Sequence, residues 1–367
     1  MRGEEKRQED LFHYFSVEGR IPEDHPIRRL RELCDEALGK LSTVFEAMYS
    51  DTGRPSIAPE TLLKSTFLMA LYSVRSENLF CEQLNYNLLY RWFLGLDVST
   101  QSFDRSVFSK NRQRLLEHEV GQEFLATVVG MARSRNLLSE DHFTVDGTLI
   151  ESWASLKSFR PKDEKKDKDD KGDGNGFKPS NPDVDFHGEK RSNETHASTT
   201  DPEARLMRKG PGKEAKLSYC GNAIVENRNG LVVECEVVLA TGTAEVESAR
   251  VMLDRMIEGG TNPSTIGADK GYHQGKFVSA MREREITPHV AEMSGRKVKG
   301  LDRRTTGKES YRVSQRKRKL VEQCFGFAKT IAGLRKSRFV GIEVTAYMLR
   351  MAFATLNLVR ISRLSTA

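Results

Sequence analysis

Cysteine and tryptophan are scarce in this sequence, and the cysteines are not arranged for metal or disulfide chemistry. The 367 residues include five cysteines and two tryptophans. The cysteines are odd in number and scattered, at Cys34, Cys81, Cys220, Cys235 and Cys324. This spacing lacks the close pairs of a zinc site and does not indicate a disulfide framework. We therefore expect five buried free thiols in a reducing compartment.

Long apolar runs are also nearly absent. The N-terminal residues MRGEEKRQEDLFHYF lack the apolar core of a signal peptide. Residues 343–363 are apolar, but Arg350, Asn357 and Arg360 interrupt them, which favours a buried C-terminal helix over a membrane span. A hydrophobic content of 38% and a charged content of 30% are typical of a soluble globular protein. The expected location is the cytoplasm of a bacterium, with no membrane partner.

A large overall charge is lacking as well, but the charge is unevenly distributed. The formal net charge is only +6. Residues 296–338 are dense in Lys and Arg, and only Asp302, Glu309 and Glu322 oppose them. A basic segment in an otherwise balanced chain indicates nucleic acid or another polyanion as the partner.

Residues 1–135 are predicted to form an all-helical N-terminal DNA-binding domain. Their apolar residues recur at helical spacing with almost no alternation. Residues 106–116 start a basic helix that carries Lys110 and Arg112, the candidate DNA contacts, and short helices with tight turns suit a helix-turn-helix-like reader. An ordinary helical bundle, with Tyr90, Trp92 and Phe93 in its core, explains the same pattern equally well.

Residues 136–367 are predicted to form an α/β domain. HFTVDGTLIES at residues 142–152 is β-branched and apolar, which is typical of a buried strand. Residues 158–213 are rich in Lys, Asp, Gly and Pro, so we expect a flexible charged insertion. A hairpin turning at Asn229-Gly230 follows, and then helix, strand, helix, strand and helix. This order is that of the ribonuclease H-like fold, a mixed sheet with flanking helices, in which the first and fourth strands are neighbours.

Acidic residues mark the ends of those two strands. Asp146-Gly147 and Asp269-Lys-Gly are each more often turns than catalytic sites. Residues 314–333 are predicted to form one helix, with Ser314 at its start and Gly333 at its end, and with Arg318, Glu322 and Lys329 on one face. Taken alone, that face is more often a solvated surface with one ion pair.

The predicted fold changes the interpretation because it would bring the three acids together. Carboxylates at Asp146, Asp269 and Glu322 would repel one another without cations. Mg²⁺ or Mn²⁺ suits such oxygen ligands, and two ions about 3.5–4 Å apart catalyse transfer at phosphorus. We therefore predict these three residues as catalytic metal ligands, with Arg318 and Lys329 binding the DNA backbone.

The same residues resemble those of the DDE transposases of bacterial insertion sequences. TVDGT around Asp146 and GADKGY around Asp269 are similar to the first two acidic motifs of that family. Arg318, Glu322 and Lys329 match its helix signature in type and spacing. The family often has Tyr three positions before the Arg, where this sequence has Gln315, with Tyr311 a turn earlier. GRPSIAPETLLK, YRWFLGLD and SVFSKNRQRL in the front half are also similar to one branch of the family.

The resemblance implies DNA transposition. It implies binding of the element's terminal inverted repeats, metal-dependent hydrolysis that frees a 3′-hydroxyl, and transfer of that end into target DNA. It also implies a homo-oligomer on DNA, nucleoid association when bound, and no small-molecule substrate. The alternatives are another ribonuclease H-like nuclease, such as a resolvase, and a DNA-binding remnant. Trp153 is predicted either to stack on an unpaired base or, more simply, to lie in the core.

Overall fold

Helices make up the N-terminal part of the chain. The computed structural model describes residues 16–49, 52, 56–162, 191–210 and 212–365. The helices before the first strand are α1 Val17–Arg20, α2 Pro26–Gly39, α3 Ser42–Ala47, α4 Pro59–Leu71, α5 Glu77–Tyr86, α6 Leu88–Leu94, α7 Arg105–Glu117 and α8 Val120–Ser134. α2 and α4 begin at Pro26 and Pro59, because proline at the first helical position has no amide hydrogen to leave unpaired.

Aromatic side chains fill the core of these helices. The rings of Phe67 and Phe93 stack with centroids 5.4 Å apart. Tyr90, Trp92 and Phe93 are all buried, as the helical-bundle interpretation predicts. Because these rings are buried, they are not available to contact DNA. The candidate DNA contacts predicted in this part of the chain are the basic residues of α7.

The second part of the chain is built on a mixed sheet. Its strands are β1 His142–Glu151, β2 Phe159–Pro161, β3 His196–Ser198, β4 Arg205–Arg208, β5 Ala215–Glu226, β6 Val232–Leu239, β7 Thr265–Ala268 and β8 Thr287–Val290. β5 runs antiparallel to β1, and β6 runs antiparallel to β5. β7 runs parallel to β1, and β8 runs parallel to β7. The resulting order β6–β5–β1–β7–β8 is the predicted ribonuclease H-like arrangement.

Helices cover both faces of this sheet. They are α9 Ala244–Glu258, α10 Gly275–Glu283, α11 Arg303–Thr306, α12 Glu309–Lys317, α13 Leu320–Thr330 and α14 Ile342–Leu364. Phe143 and Val145 of β1 pack in one cluster with residues of α9 and α10. The alternate residue Ile150 packs in the other cluster with residues of α13 and α14. Successive side chains of a strand point to opposite faces, so the even-numbered residues of β1, Asp146 among them, face α12–α14.

The last helix, α14, joins the two parts of the chain. It packs against α2, α4 and α8 on one side and against β6 on the other. The buried Asn357 side chain accepts from the Val232 amide and donates to the Val232 carbonyl. Of the described residues, only α14 is long and apolar enough to cross a membrane, and 67% of its most apolar stretch is buried inside the protein. The predicted C-terminal core helix is confirmed.

The segment predicted as a flexible insertion is ordered at both ends. Residues 163–190 lie outside the described residues. On either side of them, β2 pairs with β3 and β4 pairs with the start of β5. The carboxylate of Asp201 is fully buried and accepts hydrogen bonds from Ser152 and Tyr219. The prediction for the ends of 158–213 was therefore wrong, because a buried polar network and strand pairing outweigh their polar composition.

The predicted single helix over residues 314–333 is also wrong. α12 ends at Lys317 and α13 begins at Leu320. The Val321 amide donates to the Arg318 carbonyl and the Glu322 amide to the Lys319 carbonyl, which is the tighter three-residue pattern of a 3₁₀ turn. This turn changes the rotation between Arg318 and Glu322 from that of a continuous α-helix. Ser314, the predicted cap, lies buried inside α12.

All five cysteines are free and buried, as the sequence analysis predicts. Burial raises the pKa of Cys34 to about 12, which keeps its thiol protonated and unreactive at neutral pH.

Candidate active site

Asp146 and Asp269 lie side by side on neighbouring strands, but only Asp269 follows a strand end. The predicted position of Asp146 at the end of β1 is wrong, because pairing with β5 extends β1 to Glu151. β1 and β7 are parallel, and Thr144 pairs with Gly267, two residues before each aspartate. Asp146 Oδ1 accepts the Gly147 amide at 2.9 Å, and Asp269 Oδ1 accepts the Gly271 amide at 2.7 Å. Both carboxylates are therefore oriented by the backbone next to them. The structure brings these two predicted site residues together where β7 ends beside the middle of β1.

The environment of Asp146 is unfavourable for its negative charge. Burial is the main cause that raises its pKa to about 7, and the nearby carboxylates of Asp269 and Glu245 contribute in the same direction. The Gly147 amide and the positive charge of Arg318 act in the opposite direction. A carboxyl that retains its proton near neutral pH beside other carboxyls is a group that a cation would stabilise.

Glu245 is a residue of this site that the sequence reasoning missed. It lies in the first turn of α9 and packs against Gly147, the residue after Asp146. A Cβ on Gly147 would lie 2.7 Å from Glu245 Cγ and 2.7 Å from Asn222 Oδ1, so only glycine lets the glutamate pack this closely on the strand. Burial and the charge of Asp269 raise the pKa of Glu245. The signal in the sequence was only an acid in the first turn of a helix, which is common at helix starts.

The hydroxyl of Tyr272 lies in the same region. The ring is fully buried, and its hydroxyl oxygen has no hydrogen-bond partner among the described residues. Burial raises the pKa of Tyr272 well above its usual value, and the charges of Glu245, Asp146 and Asp269 add to this effect. A phenol with an unused hydrogen beside three carboxyls is a donor held ready for one of them.

Glu322, the third predicted acid, does not join the aspartate pair. It is exposed in the first turn of α13. No three His, Cys, Asp or Glu side chains in the described ranges lie close enough to hold a metal ion together. Mg²⁺ nevertheless needs only one or two carboxylates, with water and substrate phosphate as its other ligands. Asp146 and Asp269, with the raised pKa of Asp146, fit such an ion.

Arg318 does reach the aspartates. It lies at the turn between α12 and α13, and its charge acts on Asp146. Its Nε is buried without a hydrogen-bond partner in the part of the chain that the structure describes. Tyr311 and Gln315, in contrast, both hold α12 on β8, because the Tyr311 hydroxyl donates to the Val290 carbonyl and the Gln315 amide donates to the His289 carbonyl. The guanidinium of Arg318 therefore has donor capacity left for an anion.

Lys329 lies further along the same face of β1. Its Nζ donates to Thr148 Oγ1 at 2.5 Å. Thr148 is two residues after Asp146, so its side chain points to the same side of the sheet. Of the predicted helix signature, Arg318 thus acts on Asp146 and Lys329 contacts Thr148, while Glu322 between them is exposed.

The two predicted contacts on α7 differ in their surroundings. Arg112 forms an ion pair with Glu77 and stacks on Phe339, with its Cζ 4.4 Å from the ring centroid. Lys110 is exposed and lines a cleft of about 760 Å³ between the N-terminal helices and the sheet domain. Trp153, two residues after β1, lines the same cleft and is 54% exposed. The prediction that Trp153 lies in the core is therefore wrong.

Comparison with known proteins places the chain among transposases. A family model described as Transposase domain (DUF772) matches residues 15–114, and one described as Transposase DDE domain matches residues 194–358. Together the two ranges span most of the chain. No curated protein matches it. A cryo-EM structure of a piggyBac transposase synaptic complex with hairpin DNA is similar over 93% of this chain and 76% of that one, at 10% identity and a TM-score of 0.40.

Proposed function

The chain belongs to the DDE transposases of insertion-sequence type, and from that premise we propose that Asp146 and Asp269 hold its catalytic divalent ions at the scissile phosphate. One observation carries this assignment. Two backbone-oriented carboxyls lie side by side where β7 ends beside β1, and the pKa of Asp146 is raised to about 7, mainly by burial. Mg²⁺ or Mn²⁺, in a pair of ions, is the proposed metal.

The bound metal would activate a water molecule or the 3′-hydroxyl of the DNA end as nucleophile and would supply a counter-charge for the leaving oxygen. The chain's own residues supply the geometry. Asp146 and Asp269 orient the site, since each is fixed by an amide of the residues that follow it. Arg318, with its unpartnered Nε, is placed to bind an oxygen of the scissile or adjacent phosphate. Lys329 binds the backbone further along the strand.

The third carboxylate has two candidates. Glu322 is the residue that the resemblance implies, and we propose it as the third metal ligand when DNA is bound. Glu245 is the carboxylate that already acts on Asp146 in the free protein. Substituting each of them separately decides which one the reaction needs.

The proposed substrates are the terminal inverted repeats of the element and a target DNA. The N-terminal helices are the proposed reader of the repeats, with Lys110 exposed on α7 at the cleft that faces the sheet domain. Arg112 stays a prediction as a DNA contact, since its charge is matched by Glu77. Joining two element ends requires two active sites, so we propose a homo-oligomer on DNA. Its proposed location is the bacterial cytoplasm, at the nucleoid when bound.

The test is cleavage of a labelled duplex that carries the sequence flanking the gene. Wild type is compared with Asp146→Ala, Asp269→Ala, Glu322→Ala and Glu245→Ala, with Mg²⁺, with Mn²⁺ and with EDTA. We expect metal-dependent nicking at the element end that both aspartate variants lose by at least about a thousandfold, as catalytic ligands do. DNA binding, measured in EDTA, should persist in all of them.

The matched control is Glu309→Gln, an exposed glutamate on α12 that pairs with the surface arginines Arg312 and Arg316. It should cleave like wild type, because surface ion pairs contribute little. Wild-type cleavage in both aspartate variants would refute the assignment of the site. Binding of the element end without any cleavage by wild type would favour a DNA-binding remnant.

A further inference from the structure

A second, basic site lies beside the aspartates. It is a cleft of about 340 Å³ between β4, β5 and the end of α13. Its charged lining residues are Lys209, Lys213, Lys216, Lys329, Arg335, Glu151 and Glu214. Bases thus outnumber acids in a concave surface, which is typical of a binding site for anions.

The acids in the cleft do not neutralise it. Glu151 forms an ion pair with Lys216, in which Nζ and Oε1 are 2.8 Å apart. Lys329 is partly buried, and burial lowers its pKa, with the charges of Lys209 and Arg335 acting in the same direction. Like charges held this close repel one another unless an anion lies between them.

The backbone holds Arg335 at this place. The Glu151 amide donates to the Arg335 carbonyl at 3.2 Å, and the Ser337 amide donates to the Glu151 carbonyl. The end of β1 therefore fixes the segment that carries the guanidinium. Lys209 directly follows β4, whose pairing with β5 fixes it on the other side of the cleft. Both bases project from ordered backbone rather than from a free tail.

The position of the cleft limits what can fill it. Lys329 connects it to Thr148, two residues from Asp146 on the same face of β1. A DNA strand whose scissile phosphate lies at Asp146 must pass close to this point, because two residues of a strand span only about 7 Å. Its neighbouring phosphates carry the negative charge that the cleft lacks.

We propose that Lys209 and Arg335 bind a backbone phosphate next to the scissile one, so that the ordered end of the segment between β1 and β5 forms part of the DNA-binding surface. This inference rests on the proposed function, since the position of the scissile phosphate comes from it. It adds residues outside the Arg318–Glu322–Lys329 signature and gives the β4 edge a role beyond closing the sheet.

The experiment is a binding assay in EDTA with duplexes that carry the sequence flanking the gene. A single neutral methylphosphonate replaces one phosphate at a time around the cleavage point. We expect one position at which the neutral phosphate weakens binding by wild type but causes no further loss in Lys209→Ala or Arg335→Ala. Such non-additivity identifies a direct contact. Each variant should also lower the slope of log K against log salt by about 0.7–0.9.

Lys276→Ala is the matched control, because this exposed lysine lies on α10 at the other face of the sheet. It should retain the wild-type response at every methylphosphonate position. Additive losses at all positions for both test variants, or the same response in Lys276→Ala, would overturn the contact. If wild type cleaves the element end and yet shows no coupled position, only this inference fails. If wild type neither binds nor cleaves that end, the proposed function fails and this inference falls with it.

Discussion

Replacing Asp146 with asparagine should stabilise the metal-free protein at high pH and leave its stability unchanged at low pH. Asparagine has nearly the same shape, and its Oδ1 can still accept the Gly147 amide. It lacks the charge that burial, Asp269 and Glu245 disfavour. A functional carboxylate whose removal stabilises the fold is the expected trade-off of an active site.

The sign follows from proton binding. The pKa of Asp146 is about 7 in the folded protein, against a reference value of 3.8. Between these values the folded state binds the proton and the unfolded chain does not, so stability falls as pH rises from about 4 to about 7. At roughly 1.4 kcal/mol for each pH unit, the full difference is about 4 kcal/mol. Because water reaches part of the side chain, we expect about 1–3 kcal/mol.

The assay is urea unfolding in EDTA, followed by tryptophan fluorescence at several pH values between 4 and 8.5. The stability of Asp146→Asn relative to wild type should be near zero at pH 4, grow through pH 5–7 and level off above pH 8. Mg²⁺ at pH 8 should then stabilise wild type and not the variant, because only wild type has the ligand. This readout needs no catalytic activity.

Asp254→Asn is a control with the opposite sign. A hydrogen bond from Arg284 lowers the pKa of Asp254, so its ionised form stabilises the fold. That contribution is present above the unfolded pKa and is lost as pH falls through the folded one. Asp254→Asn should therefore destabilise at pH 8 and have little effect in acid. A pH-independent difference for Asp146→Asn, or a destabilisation at pH 8, would refute the electrostatic description of the site.

Three further predictions test other contacts. Gly147→Ala should abolish metal-dependent cleavage and lower the melting temperature, since its Cβ would collide with Glu245; wild-type cleavage and stability in this variant would show that β1 tolerates a side chain there. Asn357→Leu should destabilise by roughly 2–3 kcal/mol in urea, because it leaves two buried backbone groups of Val232 unpaired; a change below about 0.5 kcal/mol would contradict this. DNA should quench the fluorescence of Trp153, which is 54% exposed at the large cleft; equal quenching in Trp153→Phe would assign the effect to the buried tryptophan instead.

The elements of the sheet domain were largely predictable because their signals are local. β-Branched and apolar residues indicated β1, and Asn229-Gly230 indicated the hairpin, whose Gly230 has a φ of 76°. Once strand and helix order were assigned, the fold class followed, since few arrangements of that order are compact. Asp146 and Asp269 could be paired in advance because parallel neighbouring strands end at the same edge.

The predictions that failed concern residues whose surroundings are formed by parts of the chain far away in sequence. A polar composition predicted that the ends of residues 158–213 would be flexible, but a buried aspartate and strand pairing order them. Exposure of Trp153 depends on a cleft between two parts of the chain, which no local pattern describes. Glu245 lies 99 positions from Asp146 in the numbering, and only the packing of α9 on β1 brings them into electrostatic contact.

The sequence by itself therefore determined the order of elements, the transposase motifs and the two aspartates, because each depends on residues close together in the chain or on a simple topological rule. Tertiary structure alone decided which charges surround those aspartates. The tertiary structure divides the predicted helix into α12 and α13 near Arg318, and Glu322 is exposed. It also brings Lys209 and Arg335 to the lining of one cleft. Electrostatic energies depend on distance and burial in three dimensions, and neither can be read from spacing along the chain.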